Sequence, residues 1–196
     1  MLVIGITGNF GTGKTTVSQM LAELGAVLIN ADELGHELLQ PDTQAHKEIV
    51  AAFGRSILKP NGEVDRNKLG KLVFDDTTAL ARLNQITHPQ MYEIVKHKIE
   101  EYRQKGAKVL VLEAALLIEA GWTPLVNQLW VTVAPEAIIV RRLQSSRGLS
   151  EEQVLARLHT QMPQDEKAKQ ADVVINTDCP LDALRAKISE LWQNLL

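Results

Sequence analysis

Short apolar runs recur along the chain and define its strand pattern. They are nearly continuous in Val, Ile and Leu, without the polar alternation of a half-exposed strand. The runs are residues 2–7, 26–29, 109–112, 129–133 and 173–175. Because such runs are typical of strands covered on both faces, they predict a central five-stranded parallel sheet.

Between these runs, apolar residues recur at helical spacing. Val17, Met20 and Leu21 follow an i, i+3, i+4 pattern, which predicts an amphipathic helix soon after the first strand. The same spacing returns in residues 91–102 and 181–195. Strands that alternate with helices predict a doubly wound α/β fold with helices on both faces of the sheet.

Two long segments interrupt this alternation. The segment of about 31–107, between the second and third strands, has a mostly helical pattern with a turn at 59–62 and a helix break at His88–Pro89. A single crossover helix needs far less chain, so we interpret this segment as a helical substrate-binding insert. The segment of about 141–170 is rich in Arg, Ser, Gln and Glu and is predicted to be a helical lid. We expect insert and lid to belong to a single domain that spans residues 1–196.

Composition and charge restrict the function classes only broadly. The formal net charge of -3 does not indicate a nucleic-acid-binding protein. The single cysteine, Cys179, cannot form an internal disulfide, which fits a reducing compartment. The apolar stretch 109–122 contains two glutamates and is too short to span a bilayer. We therefore expect a cytoplasmic monomer with neither a membrane nor a nucleic-acid partner.

The string GNFGTGKT at residues 8–15 carries the strongest chemical signal. It satisfies G-x-x-x-x-G-K-S/T and lies between a predicted strand and a predicted helix. Its glycines let the backbone turn tightly, so that amide groups and the helix N-terminus form an anion site. Lys14 is expected to reach the β- and γ-phosphates, and Thr15 to ligate Mg²⁺. The predicted nucleotide-binding residues are Asn9, Phe10, Gly11, Thr12, Gly13, Lys14, Thr15 and Thr16.

A phosphate-binding loop does not by itself define the reaction. A GTPase would need Asn-Lys-x-Asp after a late strand, and the string NKLG at 67–70 lacks the Asp. A small chain with an insert after the second strand and an arginine-bearing lid is typical of a small-molecule kinase. A regulatory module that binds nucleotide without transferring phosphate is a further alternative.

Several separated strings resemble the dephospho-CoA kinase family, and together they extend from about residue 4 to about 178. The most selective are ITHP at 86–89 and ADVVI at 171–175. Other matching strings are Asn30-Ala31-Asp32, Asp65-Arg66, Glu119-Ala120-Gly121, Gln161 and Glu166-Lys167. The resemblance implies a P-loop NTPase fold related to the nucleoside monophosphate kinases. It also implies that ATP and Mg²⁺ are used to phosphorylate the ribose 3′-hydroxyl of dephospho-CoA, the last step of coenzyme A synthesis. The alternative is another kinase of this fold, such as a nucleoside monophosphate or sugar kinase.

The chain departs from the family pattern at three places. Asn30 stands where the family usually has Asp, and Glu113 and Ala115 replace an Asp-x-Pro string after the third strand. Ser146 stands where a lid arginine is expected, with Arg147 one place later. Glu113 is the expected partner of Thr15 in the metal site.

The predicted catalytic residues are Asp32, Lys14, Arg142 and Arg147. Asp32 follows a buried strand, where it is expected to accept the proton of the acceptor hydroxyl. Its alternative role is the N-cap of the next helix. Arg142 and Arg147 are predicted to neutralise phosphate charge, with an exposed helix face as the alternative.

The acceptor is expected to bind to the insert. A cation would bind its pyrophosphate and apolar side chains its pantetheine arm. The predicted substrate-binding residues are Asp32, His36, Arg66, Leu69, Phe74 and His88. His88 has a structural alternative at the predicted helix break, and His36 has one as a partly exposed helix residue. Asn176, after the last strand, is expected to border the adenine of ATP.

Overall fold

The computed structural model describes residues 1–74 and 76–195, except for the side chain of Phe74. Within these residues, five strands form one sheet in the order β2-β3-β1-β4-β5, and all neighbouring strands are parallel. The strands are β1 (Leu2–Thr7), β2 (Val27–Asn30), β3 (Val109–Glu113), β4 (Gln128–Val133) and β5 (Val173–Asn176). Each boundary lies within one residue of its predicted position. The predicted five-stranded parallel sheet is therefore confirmed.

The helices follow the predicted alternation with the strands. They are α1 (Lys14–Glu23), α2 (Ala31–Leu38), α3 (Gln44–Phe53), α4 (Arg66–Phe74), α5 (Thr77–Gln104), α6 (Glu136–Arg147), α7 (Glu151–His159), α8 (Gln164–Lys169) and α9 (Leu181–Gln193). Short 3₁₀ turns lie at Arg55–Ile57 and Thr123–Leu125. Local capping explains some of these boundaries. Ser150 and Gln153 form a capping box that starts α7, since each side chain bonds the other's backbone amide.

The central strand, β1, packs into a hydrophobic core on one face of the sheet. Ile4 and Ile6 of β1 are fully buried in a cluster that includes residues of α1 and α9, such as Leu21 and Ile188. Side chains alternate along a strand, so Gly5 points to the opposite face. A Cβ at Gly5 would lie 2.8 Å from Leu117 Cδ1, so a larger residue would require this packing to shift. The loop after β1 therefore starts from a buried strand in the middle of the sheet.

The chain divides into two compact units. The first comprises Met1–Asn30 and Ile99–Leu196 and contains the sheet, and the second is Ala31–Lys98. The predicted turn at 59–62 lies in the second unit, where Gly62 N donates to Lys59 O at 3.0 Å. The substrate-binding and lid roles assigned to 31–107 and 141–170 remain predictions.

The predicted helix break at His88–Pro89 is wrong. Helix α5 continues from Thr77 to Gln104 with Pro89 inside it. A proline inside a helix removes one backbone hydrogen bond. Gln90 Nε2 donates to a main-chain carbonyl one turn earlier at 3.2 Å, and Val95 in the following turns is fully buried. Tertiary packing thus holds the helix together across the proline.

In the described part of the chain, every helix is too short or too polar to cross a membrane. The 28-residue α5 has the length but carries charged side chains throughout its second half.

Candidate active site

The glycine loop lies after the central strand β1, between the carboxyl ends of β3 and β4. Open α/β sheets bind ligands at this edge. Gly8, Gly11 and Gly13 have φ values of 147°, 82° and 87°, which favour glycine. A Cβ at Gly8 would lie 2.4 Å from Thr132 Oγ1, so glycine also lets the loop contact β4.

The start of helix α1 supplies donors for an anion. Gly13 occupies the N-cap position, and no side chain in the described residues caps it. The amides of the first turn have no intrahelical acceptor, and the helix dipole makes this end positive. Phosphate groups bind well in such a place.

Hydrogen bonds from threonine hydroxyls stabilise the phosphate-binding loop. Thr12 is fully buried, and its Oγ1 lies 2.8 Å from Thr132 Oγ1 and donates to Asn9 O at 2.8 Å. Thr177, which follows β5, donates from Oγ1 to Thr12 O at 2.8 Å. The hydroxyl of Thr12 therefore stabilises the loop itself.

Lys14 directs its ammonium group into the loop. Nζ donates to Gly8 O at 2.9 Å and to Asn9 O at 3.1 Å, and the residue is only 8% exposed. A buried charge needs hydrogen bonds of this kind. The positive charge thus lies inside the phosphate-binding loop.

Thr15 and Glu113 meet at the end of β3. Thr15 Oγ1 donates to Glu113 Oε1 at 2.6 Å. Glu113 is 2% exposed, and its Oε2 is buried without a hydrogen-bond partner among the described residues. Because an unsatisfied buried oxygen is costly, a cation beside it would stabilise the arrangement. Two oxygen-bearing side chains fit Mg²⁺, which takes further ligands from phosphates and water.

The segment that follows α7 forms hydrogen bonds with the phosphate-binding loop. Gln161 Oε1 accepts from Phe10 N at 2.8 Å, and Asn9 Nδ2 donates to Met162 O at 3.1 Å. These two contacts could not be predicted from the sequence, because the partners are about 150 positions apart. Gln161 stood out only as part of the family resemblance.

A buried ion pair supports this segment. Lys167 is fully buried and pairs with Glu119 Oε1 at 2.8 Å, while its Nζ also donates to Ala115 O at 2.9 Å. Met162 N donates to the same Glu119 oxygen at 3.2 Å. The pair therefore joins the turn after β3 to the segment that holds the loop. Removing one partner of a buried pair commonly costs about 3–5 kcal/mol.

Three arginines lie near the loop. Arg142 donates from Nη1 to Thr177 Oγ1 at 3.0 Å and from Nη2 to Thr177 O at 2.6 Å. The guanidinium carbons of Arg147 and Arg157 lie 5.1 and 5.2 Å from the centroid of the Phe10 ring. Arg142 and Arg147 were predicted to act at the phosphates, whereas Arg157 was not.

Two further residues, Thr16 and Asn176, were also predicted to bind the nucleotide. Thr16 is half-buried in the first turn of α1. Asn176 is exposed at the end of β5, and its Oδ1 accepts from Asp178 N at 2.8 Å. The bond shapes the turn that leads to Thr177.

The predicted acceptor-binding residues belong to the second unit. Asp32 is exposed and lies in the first turn of α2, one residue after its start. His36 and Arg66 are exposed, His88 is half-buried, and Leu69 is 4% exposed. Phe74 ends α4, and its side chain lies outside the described residues. The roles of these residues remain predictions.

The sheet order, the glycine loop, Lys14 and the Thr15–Glu113 pair together define a P-loop kinase fold. A family model for dephospho-CoA kinase matches residues 2–182. The chain therefore belongs to the dephospho-CoA kinase family, and this membership implies ATP as the phosphoryl donor.

Individual relatives agree with the family match. A dephospho-CoA kinase of Dehalococcoides mccartyi is 44% identical over 196 residues, covering 100% of this chain and 98% of the relative. A crystal structure of a Thermus thermophilus protein has 32% identity and a TM-score of 0.82, covering 100% of this chain and 98% of that one. The dephospho-CoA kinase from Campylobacter jejuni has 26% identity and a TM-score of 0.73, with coverages of 98% and 96%.

Proposed function

We propose that the protein transfers the γ-phosphoryl group of ATP to the ribose 3′-hydroxyl of dephospho-CoA, giving CoA and ADP in the final step of coenzyme A biosynthesis. The family match over residues 2–182 carries the proposal, because it includes both compact units and not the phosphate loop alone. The comparisons do not favour the alternative of a nucleoside monophosphate or sugar kinase.

The proposed reaction is a direct transfer between two oxygens. The 3′-oxygen attacks the γ-phosphorus while the bond to the bridging β,γ-oxygen breaks, and ADP leaves with that oxygen. The hydroxyl proton passes to the carboxylate of Asp32. Asp32 follows β2 by two residues, and residues after the strands of open α/β sheets bind ligands.

Positive groups stabilise the charge of the transferring phosphoryl group in this proposal. The ammonium of Lys14 lies within the loop, where P-loop enzymes bind the β- and γ-phosphates. Arg142 and Arg147 act from the lid of about 141–170, since guanidinium groups match phosphate oxygens in shape. Residues 9–16 bind the phosphates, and Asn176 borders the adenine.

Magnesium is the metal ion that we propose for the Thr15–Glu113 pair. Thr15 Oγ1 ligates the ion, and Glu113 binds either the ion or a water attached to it. When bound, Mg²⁺ neutralises charge on the β- and γ-phosphate oxygens. The unpartnered Oε2 of Glu113 supports this assignment.

A Glu113→Gln substitution tests the metal site. Gln keeps an acceptor for the Thr15 hydroxyl but loses the negative charge. We expect the Mg²⁺ concentration for half-maximal rate to rise about tenfold. Rates measured across a magnesium series at constant ATP give this value. Glu190→Gln, at an exposed carboxylate on α9, is the control. An unchanged magnesium requirement in folded Glu113→Gln would exclude Glu113 from the site.

The unit Ala31–Lys98 is proposed to bind the acceptor. Arg66 is exposed at the start of α4 and supplies a cation for the pyrophosphate. Leu69 and Phe74 are proposed to contribute apolar surface for the pantetheine arm, and His36 and His88 to line the pocket.

A panel of acceptors tests this part of the proposal. We expect phosphorylation of dephospho-CoA at the 3′ position, seen by phosphorus NMR and mass spectrometry, and poor turnover of AMP and CMP. Arg66→Ala should raise KM for dephospho-CoA at least about tenfold, the loss of one charged hydrogen bond, with little effect on KM for ATP. Arg103→Ala, at an exposed arginine of α5, is the control. Equal or better turnover of a nucleoside monophosphate would overturn the proposed acceptor.

We also propose that the enzyme acts as a cytoplasmic monomer, without a nucleic-acid or membrane partner. The net charge of -3 supports this, because nucleic-acid-binding proteins are usually basic. Light scattering at assay concentrations measures the mass in solution, and a stable dimer would contradict the proposal.

A further inference from the structure

Thr177 connects segments that are far apart in the sequence. It follows β5 and is 3% exposed, and its amide donates to Val133 O at the end of β4 at 2.9 Å. Its hydroxyl donates to Thr12 O in the phosphate-binding loop at 2.8 Å. Arg142 of α6 donates from Nη1 to the same hydroxyl at 3.0 Å and from Nη2 to Thr177 O at 2.6 Å. The side chain of Thr177 therefore contacts both the loop and a charged group of α6.

The hydrogen bonds of this hydroxyl have a defined direction. A threonine hydroxyl carries one proton and can accept two hydrogen bonds. Thr177 Oγ1 lies 2.8 Å from Thr12 O but 3.3 Å from Val133 O, so the shorter bond to Thr12 takes the proton. The guanidinium of Arg142 cannot accept a hydrogen bond and is the donor to this oxygen. The bonds therefore run from Arg142 to Thr177 and from Thr177 to Thr12 O.

The charge of Arg142 strengthens the second of these bonds. Hydrogen bonds in a chain polarise one another, and a charged donor gives a stronger bond than a neutral one. Arg142 is half-buried, and Thr12 and Thr177 are buried, so salt and water screen the charge only weakly. The carbonyl of Thr12 is consequently held more firmly than by a neutral hydroxyl alone.

This carbonyl shares a peptide group with the amide of Gly13. A trans peptide is planar, with its C=O and N–H bonds on opposite sides. Because Thr12 O is directed towards Thr177, the N–H of Gly13 is directed away from Thr177. A Cβ at Gly13 would lie 3.4 Å from Thr177 Cγ2, so Thr177 lies directly against this part of the loop. In a phosphate-binding loop, backbone N–H groups bind the α- and β-phosphates.

We propose that Thr177 is a positioning residue for phosphate binding. Together with Arg142 it orients the peptide between Thr12 and Gly13, so that the N–H of Gly13 donates to a phosphate of the bound nucleotide. In this role Arg142 acts through the hydroxyl of Thr177, which is a separate effect from any contact of its guanidinium with the nucleotide. The inference rests on the proposed function for the donor nucleotide and is independent of the acceptor.

Binding of ADP and of inorganic pyrophosphate tests Thr177 without the acceptor. Thr177→Val keeps the shape of the side chain but removes the hydroxyl, and it should weaken binding of both ligands about fivefold, the loss of one hydrogen bond. The two factors should agree, because the effect lies at the phosphates. Thr177→Ser keeps the hydroxyl and should bind both ligands within about twofold of the wild type. Calorimetric titration measures ADP, and displacement of ADP measures pyrophosphate.

Thr87→Val is the matched control for Thr177→Val. The hydroxyl of Thr87 is half-buried and donates to Leu83 O at 3.0 Å within α5, so its removal breaks the same kind of bond elsewhere. Both affinities should remain those of the wild type. A lower Tm of Thr177→Val with both affinities unchanged would mean that Thr177 only stabilises the fold. Weaker ADP binding with unchanged pyrophosphate binding would mean that it acts at the adenine. Either result would overturn the proposal.

A double-mutant cycle tests the connection to Arg142. Arg142→Gln, Thr177→Val and the double variant are each titrated with pyrophosphate. If Arg142 acts through Thr177, the double variant should bind at least about threefold more tightly than the product of the two single losses predicts. Losses that simply multiply would mean that the two residues act independently, and would overturn the role of Arg142 as the partner of Thr177.

Failure of the proposed function would be distinguishable from failure of this inference. A wild-type protein that binds ADP and pyrophosphate but forms no CoA from dephospho-CoA would overturn the proposed acceptor alone. The same titrations would still decide the role of Thr177, since neither ligand involves the acceptor.

Discussion

Replacing Asp32 with Asn should lower kcat about 1000-fold and leave ATP affinity close to that of the wild type. Asn keeps the shape of the side chain but cannot accept the proton of the 3′-hydroxyl, and general base catalysis commonly contributes about 100- to 10,000-fold. The rate of CoA formation and a calorimetric titration with ATP measure the two quantities separately.

Glu33→Gln is the matched control for Asp32→Asn. Glu33 is the next residue in the first turn of α2 and is also exposed, so its replacement removes the same charge from the same helix end. Its kcat should remain within about twofold of the wild type, because exposed carboxylates contribute little. If Asp32→Asn instead keeps its rate and loses thermal stability, Asp32 stabilises the helix and takes no part in the reaction.

Replacing Lys14 with Ala should lower turnover at least about 100-fold, since a preorganised charge at the transferring group is often worth a few kcal/mol. The substitution also removes the donor that Gly8 O and Asn9 O share. Steady-state kinetics measure the loss, and circular dichroism checks that the variant remains folded.

Lys187→Ala, at an exposed lysine of α9, controls for the lost charge in Lys14→Ala. It should retain wild-type kinetics. Wild-type turnover in a folded Lys14→Ala protein would contradict the assignment of the loop as the catalytic phosphate site.

Features encoded by neighbouring residues were predicted well from the sequence. Each strand is a continuous apolar run, so its position could be found within one residue. The phosphate loop is equally local, because its glycines, Lys14 and Thr15 lie within eight consecutive residues. The prediction of a helix break at Pro89 was wrong, because the burial of residues later in α5 outweighs the local effect of proline.

Contacts between distant segments could not be predicted in the same way. The interaction of Phe10 with Arg157 and the buried pair of Lys167 and Glu119 connect residues that share no local spacing. The roles of the acceptor residues, such as His36 and Arg66, remain predictions for a related reason. A pocket for the acceptor would combine side chains from separate helices, and no short motif encodes such an arrangement.

The order of the strands has a consequence for synthesis of the protein. β1 is the first strand to leave the ribosome, yet its neighbours β3 and β4 begin only at Val109 and Gln128. The phosphate loop acquires its contacts with Gln161 and Thr177 later still. An apolar strand therefore stays unpaired until more than half of the chain has emerged, and unpaired strands promote aggregation. ATP cannot stabilise the fold at this stage, because its phosphate site is completed only after these later segments have been made.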